Sequence, residues 1–171
     1  MRRFWTTAAV GIAGVALASG GQQTGGSIDA PAGARMVLEA RGSGVQIYQC
    51  GAGSNGGFAW ALQGPDAKLL DADGKTLGTH FAGPTWRLND GSQVQGTVAA
   101  SQQAAQPGAV AWLLLRAKAG SATGKLADVA YIRRTETEGG MPDIAACRTS
   151  ADAGKTVRVP YLAKYSFYAE K

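Results

Sequence analysis

From residue 34 onward, apolar and polar positions alternate in short runs broken by glycine, asparagine, aspartate and proline. A period of two is the pattern of strands with one face buried. Met36-Val37-Leu38-Glu39 and Val45-Gln46-Ile47-Tyr48-Gln49-Cys50 stand either side of Gly42-Ser43-Gly44, which reads as a hairpin turn. Phe58-Ala59-Trp60-Ala61-Leu62 puts three bulky residues on one face and two alanines on the other. Leu69-Leu70 and Thr76-Leu77 flank Asp71-Ala72-Asp73-Gly74-Lys75. Trp86-Arg87-Leu88 and residues 94–98 flank Asn89-Asp90-Gly91-Ser92. In both turns Asp-Gly supplies positive φ at little steric cost.

Ala111-Trp112-Leu113-Leu114-Leu115 is apolar without alternation and predicts a strand buried on both faces. Residues 127–134 form the next strand, and 135–140 a polar loop. Residues 142–147 suit one helical turn with Pro142 near its start. The last strand runs from 157 to about 168, with Tyr161, Tyr165 and Phe167 on one face. Pro160 lies inside it, which argues for an edge position or a bulge. No long amphipathic helix is present. The expectation is an all-β, single-domain fold over residues 34–171: an antiparallel β-sandwich or barrel of about nine or ten short strands, with at most a short helical turn. The pattern does not separate the two architectures; the sandwich is the working expectation.

The segment before residue 34 has a different character. Arg2 and Arg3 precede an apolar run from Ala8 to Leu17, and Ala16-Leu17-Ala18 offers small residues where a signal peptidase cuts. Residues 1–18 are therefore expected to be a signal peptide. The run is shorter than a bilayer-spanning helix, and no Cys follows it to take a lipid. Residues 19–33, rich in Gly, Gln and Ser, read as a flexible lead-in. The expected location is the periplasm or the cell exterior, with no membrane span after cleavage. The formal charge of +5 includes two units from Arg2 and Arg3. What remains is too small and dispersed for nucleic-acid binding. In an exported chain the cysteine pair, Cys50 and Cys147, reads as a disulfide, and two thiols do not make a zinc site.

The most distinctive run is Gly78-Thr79-His80-Phe81-Ala82-Gly83-Pro84-Thr85-Trp86, which contains the chain's one histidine. A Gly-Pro bend between His80 and Trp86 would bring the two side chains together, with Asp90 a few residues on. The candidate ligand-binding set is His80, Thr85, Trp86, Asp90 and Trp60. Trp86, after the bend, is the aromatic expected at the surface. No catalytic nucleophile presents itself, no metal-ligand spacing occurs, and no cofactor is implied. Gly51-Ala52-Gly53-Ser54-Asn55-Gly56 matches a dinucleotide fingerprint, but a strand pattern follows where that fingerprint requires a helix. It reads as a hairpin loop. Arg133 and Arg134 read as a strand end with compensating charges rather than an anion site.

The run 78–86, with Val45 to Cys50, Phe58-Ala59-Trp60, Asp90-Gly91-Ser92, Trp112-Leu113-Leu114-Leu115, residues 126–132 and Val157-Arg158-Val159-Pro160-Tyr161, resembles a family of exported bacterial and fungal proteins of unknown function, number 3455 in the domain-of-unknown-function series. The resemblance implies an exported β-rich domain and no activity. Arg87 stands where the family pattern suggests an acidic residue. The function expected is a periplasmic or cell-surface β module that binds an unidentified small molecule or an envelope component through the loop from His80 to Trp86. The alternatives are a hydrolase-type enzyme using His80 with Asp90, and a structural or stress-protective protein without a small-molecule site.

Overall fold

A computed structural model describes residues 26–171, apart from Asn55. The expected signal peptide and most of the lead-in lie outside the described residues. The elements are β1 (Arg35–Ala52), β2 (Phe58–Leu70), β3 (Thr76–Phe81), β4 (Thr85–Leu88), β5 (Gln93–Gln102), β6 (Trp112–Gly120), β7 (Val129–Gly139) and β8 (Thr156–Ala169). Two 3-10 turns, Ile144–Ala146 and Ser150–Asp152, precede β8. Each strand pairs antiparallel with the next, and β8 pairs back onto β1. The result is a closed up-and-down barrel of eight strands.

The all-β antiparallel class holds, and of the two expected architectures the chain adopts the barrel. The strands are fewer and longer than the expected nine or ten. The physical reason sits at Gly42-Ser43-Gly44, which is no turn: β1 runs through it as one strand of 18 residues. Both glycines are there for close approach. A Cβ on Gly42 would stand 2.5 Å from the Tyr165 ring, and one on Gly44 would stand 2.2 Å from the Asp66 carbonyl oxygen. The turns at 71–75 and 89–92, and the hairpin loop between β1 and β2, fall where the sequence put them. Pro160 lies just past Gly139↔Tyr161, the end of the β7 pairing, so β8 has a strand partner only on the β1 side there.

Alternation drives one apolar face of each strand into the barrel. Leu69, Trp86, Val94, Leu115, Ile132, Tyr165 and Phe167 form its core, while Asp66, Lys68 and Arg87 face out. Leu114 points outward yet is buried, because Ile28 packs over it with Ala100. Arg133 fastens that segment, bonding the Ile28 carbonyl at 2.9 Å and the Asp29 carboxylate at 2.8 Å. This is why Leu113-Leu114-Leu115 lacks alternation. No helix among the described residues is long and apolar enough to cross a membrane.

In an up-and-down barrel, odd and even connections fall at opposite ends. The β1–β2, β3–β4, β5–β6 and β7–β8 connections share one end. At that end a Cys50–Cys147 disulfide, with Cα atoms 5.7 Å apart, ties β1 to the β7–β8 connection. The Trp60 indole donates to the Asp143 carbonyl at 2.8 Å, and the Tyr48 hydroxyl to the Gly140 carbonyl at 2.8 Å.

Candidate functional site

The β3–β4 hairpin brings His80 and Trp86 together. They are direct cross-strand partners, so their side chains leave the same face, into the barrel. Gly83 makes the tight turn at φ +102°, and the Thr85 hydroxyl closes it by donating to the Ala82 carbonyl at 3.1 Å. The His80 and Trp86 rings stack 4.4 Å apart, within 5° of parallel. Tyr165 meets both edge-on, at 5.1 and 5.6 Å.

His80 is 2% exposed, and its Nδ1 lies 2.8 Å from the Thr85 carbonyl oxygen. A carbonyl only accepts, so Nδ1 carries the proton and Nε2 keeps the lone pair. Burial pushes the His80 pKa down to about 4, opposed by the Thr85 bond and assisted by the Arg134 charge. His80 is therefore neutral at pH 7.

The stacked pair lines a cavity of about 320 Å³. The β3–β4 hairpin is short. β2 finds β3 partners only from Asp66 onward, and β5 finds β4 partners only at Gln93, Val94 and Gln95. Above the hairpin the wall is notched between β2 residues 58–65 and β5 residues 97–102. Leu62, Pro65, Pro84 and Val98 line the cavity there, with Leu113, Leu115, Trp86 and Tyr165 further in. Leu62 and Val98, 56% and 51% exposed, mark an apolar lip.

The polar groups inside were not foreseen. Arg134 pairs with Leu113, as Ile132 pairs with Leu115, so it faces inward while Arg133 faces out. The expectation of a strand end with compensating charges fails for Arg134: its Nε and Nη2 donate to the Ala111 carbonyl at 3.0 and 2.7 Å, and no carboxylate pairs with it among the described residues. Alternation counted from Ile132 was the signal that could have found it. Gln46, 2% exposed, borders the cavity with neither amide atom hydrogen-bonded, and the Trp86 indole N–H also lacks a partner. Each such group costs about 1–3 kcal/mol when left unsatisfied.

The structure separates the other sequence candidates from this pair. Trp86 is 1% exposed, not at the surface, because the hairpin pairing turns it inward beneath the bend. Asp90 is in the β4–β5 turn, an even connection at the opposite barrel end from Gly83-Pro84. Its carboxylate accepts from the Lys125 amide at 2.9 Å, the Ser92 amide at 2.9 Å and the Ser92 hydroxyl at 2.6 Å. Those bonds, the Lys125 amide foremost, hold its pKa down at about 2, so it is a poor base as well as a distant one. Thr85 contributes its carbonyl to His80 but lines a different depression. Trp60 is half-buried opposite Cys50 and fastens the β7–β8 connection. Arg87 lies outside, bonded to Gln93 and over the Phe81 ring. In the Asp71 turn, the carboxylate is taken by the Asp73 and Lys75 amides.

The fold and site define a closed eight-stranded barrel with an interior cavity, notched on one side. Residues 31–169 match the model of a family described as a protein of unknown function, DUF3455, and the chain belongs to that family. No curated protein and no solved structure matches it.

Proposed function

We propose that this chain is an exported β-barrel module of the periplasm or cell surface, which binds a small and mostly apolar molecule in the barrel cavity. The observation that carries the proposal is the notch: the short hairpin leaves an apolar entrance to a cavity lined by partnerless polar groups. Barrels of eight strands are just wide enough to fill with side chains or to hold one small ligand, and apolar walls with a few convergent polar groups are what such sites use. Export is supported by the sequence of residues 1–18 and by the disulfide. The apolar interior and charged exterior are the reverse of the pattern of a membrane-spanning barrel.

A saturable rise in fluorescence of N-phenyl-1-naphthylamine, a neutral apolar dye, tests the binding function. It should vanish in Leu113→Trp, which fills the cavity, while the thermal midpoint stays within a few degrees. Absence of saturable binding, or binding untouched by Leu113→Trp, would refute it. A second reading, a structural or stress-protective barrel, is favoured by the burial of His80 and its bond to backbone; dye binding lost in Leu113→Trp would count against it. The hydrolase reading loses the carboxylate that was to orient His80.

A further inference from the structure

The cavity's polar groups are unbalanced. Arg134 is the one charged side chain that lines it, and no Asp or Glu does. Arginine has five N–H donors; two bonds go to the Ala111 carbonyl and another reaches the Tyr165 hydroxyl, which leaves two for a ligand. The Gln46 Nε2 and the Trp86 Nε1 are buried donors without partners; facing them are two acceptors, the partnerless Gln46 Oε1 and the lone pair on His80 Nε2. His80 is neutral and brings no second charge. A site with surplus donors and an uncompensated guanidinium selects an acceptor-rich anion. Its walls, Leu113, Leu115 and Trp86 within and Leu62 and Val98 at the lip, select an apolar body.

We propose that the occupant is a monocarboxylate with an apolar body, its carboxylate held by Arg134 and Gln46 and its body against Leu113, Leu115 and Trp86. The proposal rests on the binding function above and adds the charge of the ligand. Carboxylate suits guanidinium because both are planar and can pair through two parallel bonds. An amine would meet Arg134 as a like charge. An alcohol would leave the guanidinium without a counter-charge.

The test compares three probes of one chain length, octanoate, 1-octanol and octylamine, by calorimetric titration of the oxidised protein at pH 7. Octanoate should bind at least tenfold more tightly than 1-octanol, and octylamine should not bind. Arg134→Met should weaken octanoate at least tenfold and 1-octanol far less, so that the preference for octanoate is lost. Arg134→Lys should recover part of the loss. Octanoate should also shift the NMR signals of the chain's one histidine, which places the ligand beside His80. If 1-octanol matches octanoate in the unaltered protein, the carboxylate inference falls and the apolar cavity stands. If no probe binds at millimolar concentration, the carboxylate inference falls, and if the dye does not bind either, both fall. The comparison in the unaltered protein decides the matter even if Arg134→Met does not fold.

Discussion

Lowering the pH from 7.5 to 4.5 should destabilise this protein chiefly through one residue. The His80 pKa is pushed down to about 4 by burial, from an unfolded value of 6.5. Above pH 6.5 neither state binds the proton. Between 6.5 and 4 the unfolded chain takes it up and the folded chain does not, so stability falls as pH falls through that window. Below 4 both are protonated and the loss is complete. A shift of this size corresponds to about 3 kcal/mol, a large share of the 5–15 kcal/mol or so that typically holds a domain together. The assay is urea denaturation of the disulfide-bonded protein at pH 7.5 and pH 4.5, beside His80→Phe. Phenylalanine keeps a ring against Trp86 but leaves the Thr85 carbonyl without its donor. The variant should therefore lose about 1–3 kcal/mol at pH 7.5 and show a smaller fall toward pH 4.5. An NMR titration gives the same pKa directly, with no other histidine to confuse it. A His80 that titrates near 6.5, or an unaltered pH dependence in His80→Phe, would refute the buried neutral imidazole.

Three other outcomes are expected. Replacing both Cys50 and Cys147 with Ser should cost about 4–5 kcal/mol in the chain-entropy account, since the bond spans 97 residues; matched denaturant midpoints would contradict this. Gly44→Ala should destabilise by roughly 1–3 kcal/mol, because its Cβ would run into the β2 backbone. Gly51→Ala, with nothing within 4 Å of the added carbon, should fall within about 0.5 kcal/mol of the parent. Equal effects at the two glycines would argue against the continuous β1. Intact mass of the exported chain should show loss of residues 1–18, and retention of Met1 to Ala18 would overturn the signal-peptide assignment.

The strand class was legible because alternation is a local property, and the turns at 71–75 and 89–92 carry their own chemistry. Closure was not legible. It depends on β1 pairing with β8, residues more than a hundred positions apart, and no local pattern encodes that. Gly42 and Gly44 misled for the same reason: a glycine that admits a neighbouring backbone looks in sequence like one that makes a turn. The partnership of His80 and Trp86 was legible through Gly83-Pro84, but proximity in sequence also drew in Asp90. Four intervening strand residues, Thr85 to Leu88, carry Asp90 to the other end of the barrel. Arg134 was missed because its neighbour Arg133 invited a shared explanation, whereas period two sends adjacent residues to opposite faces.

The disulfide has a consequence for assembly. Until residues 156–169 are available, β1 is the free edge of an open sheet, and such an edge invites pairing with another chain. Contacts of this sequence separation form slowly. Cys147 precedes the start of β8 at Thr156 by nine positions, and Cys50 is beside Gln49, the β1 partner of Thr156. Once the sulfurs join, the loop that must close to start the seam shrinks from about a hundred residues to about ten, which lowers its entropic cost by about 2 kcal/mol. The covalent bond thus acts as a zip stop, setting the register from which the barrel's last seam is drawn shut.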